Sequence, residues 1–276
     1  MSFVGNGNSV AEMGVRDIGA ESANRAEKLN MVLLIGSAPD AVLAKHWDLS
    51  LFAQRVAINN AWQITADWDY LVYPEDFAPE RLPPMPLKPH QQLIAAPEFV
   101  PQQNSFGGFV YAGGTMAFTA GYWALGALKP DLIAFLGCDM VYGAATGESN
   151  HFYGKGTPDP LRVDVTLQSL EAKSVRFMAL AQAHHCAVVN LSELPESRLL
   201  FPRVSRPELA SLSVRQNILM RQRHMLNAAG IAHALQAEQD LGYMVPSGRY
   251  WEHTAEFDKT KLSDIDGLWL QAMQAS

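Results

Sequence analysis

The sequence is short of cysteine, of positive charge and of long apolar runs, and each shortage removes a class of protein. Two cysteines in 276 residues, Cys138 and Cys186, are too few for a disulfide framework. Each borders an apolar run, which predicts two buried thiols. Lys and Arg number 21 against 28 Asp and Glu, a formal charge of −7, so the broad basic face that nucleic acid requires is missing. No apolar run approaches the roughly 20 residues that cross a bilayer. Residues 1–22 lack a basic start followed by an apolar block, so no secretory leader is expected and a cytoplasmic location is. Catalytic signatures are sparse as well. There is no P-loop and no Ser–His–Asp order. The HHC at 184–186 has no second Cys/His cluster at ligand spacing, and reads as a helix end meeting a strand. No internal repeat or low-complexity tract is present.

What is present is an alternation of strand and helix signals over a composition that is 48% hydrophobic and 18% charged. MVLLIG (31–36), RVAIN (55–59), DYLVY (69–73), QLIAA (92–96), GFVYA (108–112), DLIAFLG (131–137) and CAVVNL (186–191) read as strands. Helices are expected over SAPDAVLAKHW (37–47), over the nearly all-apolar 113–128, and over 159–184. Residues 74–89 hold six prolines and must form a surface connection. A polar loop is expected between QLIAA and GFVYA. Residues 1–30 read as a loosely held extension with one short helix near 20–28, residues 31–203 as the core, and residues 204–276 as a helical C-terminal appendage. The fold class is therefore α/β: a Rossmann-like, mostly parallel sheet flanked by helices, whose ligands sit beyond the carboxyl ends of the strands.

Five stretches could carry chemistry. The first is Gly36, Ser37, Ala38, Pro39 and Asp40, where a strand ends in glycine and a helix begins. It is either an anion-binding turn or only a tight connection, since the second and third glycines of a dinucleotide fingerprint are absent. Asn59 and Asn60 end the second strand; such amides can read a base or ribose, or cap the next helix. The DWD at 67–69 precedes its strand and reads as turn chemistry, while the PED at 74–76 follows one and is better placed. Gly113, Gly114 and Thr115 open a helix, either as an anion-friendly nest or for close packing. Finally, Asp139 follows a strand and leads into a glycine-rich segment, 138–160, holding Tyr142, His151, Tyr153 and Lys155. That composition suits a lid over phosphates, with a histidine able to take a proton near neutral pH. Farther on, GYMVPSGRYWEH (242–253) reads mainly as packing.

Taken together these segments resemble the bacterial sialyltransferases of glycosyltransferase family 42 and their wider clan. The resemblance spans residues 31–200. It runs through the Gly36-Ser37-Ala38-Pro39-Asp40 turn, Asn59-Asn60, Gly113-Gly114-Thr115, Gly137-Cys138-Asp139-Met140 and His151-Phe152-Tyr153-Gly154-Lys155. It implies a nucleotide-sugar donor of CMP type, a glycan or small-molecule acceptor and no required metal. CMP would lie across 36–39, Asn59 and 113–115, with Tyr142 and Tyr153 steadying the leaving phosphate. The general-base histidine of that family falls at Lys155 here, which leaves His151 as the base. The same clan includes proteins similar to a pterin diphosphokinase, which implies ATP and Mg²⁺ as the alternative, with Asp76 and Asp139 facing one pocket. A binding protein without turnover is a third expectation, and a homo-oligomer is compatible with all three.

Overall fold

The computed structural model describes residues 29–141, 152, 164–211 and 213–274. The helix expected near 20–28 lies outside these residues, as do Tyr142, His151, Tyr153 and Lys155. Among the described residues one six-stranded sheet forms, in the order β4-β3-β2-β1-β5-β6, with every neighbouring pair parallel. The strands are β1 (Met31–Ile35), β2 (Gln54–Ile58), β3 (Tyr70–Val72), β4 (Gln92–Ile94), β5 (Leu132–Leu136) and β6 (Ala187–Asn190). The continuous apolar runs follow from burial on both faces. In β1, Val32 and Leu34 point into one apolar layer, and Met31, Leu33 and Ile35 into the other.

The chain lays down β1 to β4 in one direction, then returns to place β5 on the free side of β1. The order thus reverses between β1 and β5, and Ile35 stands opposite Leu136 there. In doubly wound sheets this reversal splays the flanking connections apart and opens a crevice at the carboxyl edge.

One face carries the thicker layer: α1 (Ala96–Ser105), α2 (Phe109–Ala112), α3 (Met116–Trp123), α4 (Leu170–Ala183), α7 (Ala228–Leu241) and α8 (Lys259–Gln271). The other is covered by 3₁₀ turns at Pro39–His46 and Asn59–Gln63, by α5 (Arg206–Leu209) and by α6 (Val214–Met225). Residues of the C-terminal segment such as Trp269, Leu262 and Ala234 share one apolar cluster with the helices next to the sheet. Gln222 of α6, fully buried, also accepts the Val188 N–H of edge strand β6 at 3.0 Å. An otherwise open sheet edge is covered in this way.

Three expectations are corrected. The supposed polar loop after β4 is α1: Pro97 suits its first turn, and the Glu98 carboxylate accepts the Ala95 N–H at 2.9 Å. GFVYA is not a strand but the short helix α2, bracketed by Gly108 and Gly113, both at positive φ. Among the described residues the helix expected over 159–184 has its first α-turn at Leu170, where the Ser169 hydroxyl caps it by accepting the Ala172 N–H. Both cysteines are buried and free. Among the described residues no helix is long and apolar enough to cross a membrane.

Two buried ion pairs tie α4 to the C-terminal helices. Lys173 Nζ meets Asp266 Oδ1 at 2.5 Å, and Arg176 makes a two-pronged contact with Glu238 at 2.8 Å. Trp269 Nε1 donates to Glu238 at 2.7 Å, while the Tyr122 hydroxyl and the Phe106 carbonyl accept from the Arg176 fork. Burial alone would drive the Arg176 charge off, but the Glu238 carboxylate holds it on and raises its pKa. Removing one partner of such a pair strands the other. Glu238→Ala is therefore expected to lose about 3–5 kcal/mol in urea unfolding, with the Arg176→Met/Glu238→Leu double variant closer to the parent than either single change. Equal, small losses in all three would show that the pair has no structural part.

Candidate functional site

Four strand ends face the crevice. β1 ends in Gly36, β2 in Asn59, β5 in Gly137 and Asp139, and β6 in Asn190. α3 runs back toward the start of β5, so its first residues, from Thr115, sit at the same edge.

The β1 turn is closed onto β5. The Gly36 N–H donates to the Leu136 carbonyl at 2.8 Å and the Ala38 N–H to the Gly137 carbonyl at 2.9 Å. A Cβ on Gly36 would land on the Gly137 carbonyl oxygen and crowd the Cys138 sulfur, so the glycine is required by this close approach. Pro39 has no N–H to offer. Two of the amides expected to cradle a phosphate here, those of Gly36 and Ala38, are thus spent, and the turn runs into an acid, Asp40. The Ser37 carbonyl accepts the Phe152 N–H at 3.0 Å, which brings Phe152 against the same turn.

The glycine pair before α3 is also engaged. The Gly113 N–H donates to the Phe109 carbonyl and the Gly114 N–H to the Thr166 hydroxyl at 3.2 Å; Thr115 caps α3 by accepting the Phe118 N–H. A Cβ on Gly114 would land on the Tyr250 hydroxyl. That hydroxyl donates to Asp164 Oδ2 at 2.7 Å, and Asp164 Oδ1 accepts both the Thr166 N–H and its hydroxyl. Here glycine serves packing, and the Asp164–Thr166–Tyr250 chain behind it was not foreseen. Its sequence signals were the DVT at 164–166 and the RYWEH at 249–253.

At the end of β2, Asn59 adopts a left-handed backbone, φ 53°, uncommon for a side-chain-bearing residue, and its buried Oδ1 has no hydrogen-bond partner. Asn60 is buried in the 3₁₀ turn that follows. Beside β1, the Asp139 carboxylate is 1% exposed. Its Oδ1 accepts from Asn190 Nδ2 at 3.3 Å, and its Oδ2 has no partner. Asn190 is itself fixed, donating to the Ser197 hydroxyl at 3.0 Å and accepting the Ser192 N–H at 2.9 Å. Asp40, 9% exposed, accepts the Glu193 N–H at 3.2 Å through Oδ2 and leaves Oδ1 unpartnered. Burial raises its pKa, the Ser192 hydroxyl opposes the rise and Asp139 adds to it. Burial also pushes the Cys138 thiol up, aided by Asp139 and Asp40, so this cysteine is not a nucleophile. At the carboxyl edge of the sheet three buried acceptors have no hydrogen-bond partner among the described residues: Asn59 Oδ1, Asp40 Oδ1 and Asp139 Oδ2. A cavity of about 470 Å³ opens beside Ser192, lined also by Trp47, Arg203 and Arg206.

Other candidates lie elsewhere. Asp69 grips Arg55 through two contacts of 2.8 Å, and Asp67 meets the same guanidinium at 3.3 Å, so the DWD clamps the amino end of the sheet. Glu75 of the PED pairs with Arg249, which draws 242–253 over the loop after β3. His184 packs its ring edgewise on Phe106, and no group of three potential metal-ligating His, Cys, Asp or Glu side chains occurs among the described residues.

Compared with known proteins, the chain matches no family model, no curated protein and no solved structure. The site's chemistry therefore rests on its own residues.

The tight β1–β5 approach gives a direct check. Gly36→Ala is expected to lose about 1–3 kcal/mol of stability by overpacking. Gly267→Ala, on α8 where a Cβ would meet nothing within 4 Å, should gain about 0.5–1 kcal/mol. Thermal or denaturant unfolding of both variants decides; a neutral Gly36→Ala would mean that the two turns are not held together.

Proposed function

We propose that the chain is a nucleotide-dependent glycosyltransferase of the sialyltransferase-like kind, moving a sugar from a CMP-type donor to an acceptor hydroxyl. The observation that carries this reading is Asn59. A strained asparagine with a buried, unpartnered amide oxygen, set at a strand end next to the switch point, suits a ligand that donates. Ribose hydroxyls and an exocyclic base amine are such donors. The unpartnered acceptors at this edge also suit the hydroxyls of a sugar better than a bare phosphate, because the Gly36, Ala38, Gly113 and Gly114 amides are already engaged.

In this reading the donor nucleotide lies from Asn59 and Asn60 toward Gly36 and Gly113–Thr115. The leaving phosphate is met by Tyr142, Tyr153 and Lys155, and His151 takes the acceptor's proton as the sugar's anomeric carbon changes partner. These four assignments rest on sequence position, since the residues lie outside the described part.

The second reading, ATP-dependent diphosphoryl transfer, is favoured by a different observation: the two buried carboxylates Asp40 and Asp139, which suit cation-assisted phosphate chemistry better than metal-free sugar transfer.

Thermal shift with CMP, CDP, UDP and ATP separates the two, since a ligand bound only by the folded chain raises the midpoint. CMP is expected to give the largest shift. Asn59→Gly, which relieves the left-handed strain, should melt at the parent's temperature or above it while its CMP affinity falls at least tenfold. His151→Ala should abolish release of CMP from CMP-sialic acid. A shift with ATP alone would move the assignment to the second reading, and unaltered CMP binding by Asn59→Gly would remove the amide's role.

A further inference from the structure

We propose that Asp40 and Asp139 jointly bind one divalent cation of the Mg²⁺ or Mn²⁺ type at the carboxyl ends of β1 and β5. Four carboxylates are buried among the described residues: Asp40, Asp139, Glu238 and Asp266. Glu238 is paired with Arg176 and Asp266 with Lys173, both bases buried as deeply as the acids they meet. Asp40 and Asp139 have no base among the described residues. Arg198, whose backbone N–H donates to the Asp139 carbonyl, turns its guanidinium to Glu171 at 3.4 Å. Buried charge without a counter-charge is among the costliest arrangements a fold can hold.

The two acids are also arranged as ligands. Each is held by protein donors, Asp139 by Asn190 and Asp40 by the Glu193 N–H and the Ser192 hydroxyl, and each keeps one buried oxygen with no hydrogen-bond partner among the described residues. The turns that carry them touch: the Ala38 N–H bonds the Gly137 carbonyl, and a Cβ on Gly137 would land on Ala41. Two acceptors on touching turns, each held by outer donors, match the carboxylate pair of a cation site whose outer partners are already in place.

The donor set also limits the ion. Among the described residues no third His, Cys, Asp or Glu converges there, so they do not form a closed tetrahedral zinc site at this pair. Mg²⁺ and Mn²⁺ commonly take one or two carboxylates and fill the remaining positions with water and substrate phosphate oxygens. The inference does not rest on which group the enzyme transfers, nor on Asn59.

The test uses the full chain, freed of metal with chelator, and Mn²⁺ alone as probe, titrated by electron paramagnetic resonance and calorimetry at neutral pH. One saturable site is expected, weakened at least tenfold in Asp139→Asn and in Asp40→Asn, and unchanged in Asp240→Asn on exposed α7. Melting supplies the second readout. Mn²⁺ should raise the midpoint of the parent and not that of Asp139→Asn, and in chelator Asp139→Asn should melt at or above the parent because an unpaired buried charge has been removed. No saturable Mn²⁺ binding by the parent, or equal binding by the parent and both carboxamide variants, overturns the proposal. A parent whose midpoint ignores Mn²⁺ does the same.

Discussion

A carboxylate taken out of water needs a counter-charge, and this requirement organises the molecule on both sides of its sheet. On the thicker helical layer it is met internally. α4 carries Lys173 and Arg176 one turn apart, and α8 and α7 bring Asp266 and Glu238 to meet them. These contacts hold the C-terminal helices in the same core as the sheet, where Trp269 and Leu262 add apolar burial. At the crevice the requirement is left open. Asp40 and Asp139 sit where the strand order reverses, held by Ser192, Asn190 and the Glu193 amide, and lack a base among the described residues.

That contrast sets Asp40 and Asp139 apart from the glycine turns. Gly36 and Gly137 allow β1 and β5 to approach until the turn amides bond across to the neighbouring strand. The same approach brings Asp40 and Asp139 together. Gly114 makes room for Tyr250 in a similar way. In both places glycine shapes the packing at the carboxyl edge, where Asn59, Asp40 and Asp139 each keep an acceptor with no hydrogen-bond partner among the described residues. Such acceptors favour the hydroxyls and amines of a sugar nucleotide, or a cation that accompanies a nucleotide.

Much of the fold was legible because buried parallel strands leave a plain signature. MVLLI, LIAFL and AVVN are apolar without alternation and end in Gly, Gly and Asn. α1 was not legible, since Pro97 and Pro101 with two glutamines read as loop; a Glu98 cap and the burial of Phe99 and Gln103 override that composition. FVYA has strand-like side chains, but the positive φ of Gly108 and Gly113 sets its ends and a helical turn results. At the site, Asp139 and Asn59 could be named from their positions after strands. Asp40 passed as a helix-start acid, because its partnership with Asp139 depends on strand order, which local pattern does not encode. Asn190, Ser192 and Ser197 were hidden for the same reason, within a stretch that reads as an ordinary polar turn.

The most direct measurement is the anomalous scattering of Mn²⁺ in crystals of the full chain grown with the ion and CMP. The account predicts one strong peak bounded by the free oxygens of Asp40 and Asp139, with the nucleotide's ribose or base reaching Asn59. A well-ordered crystal with no peak there, or with the nucleotide seated away from the ends of β1, β2 and β5, would contradict it.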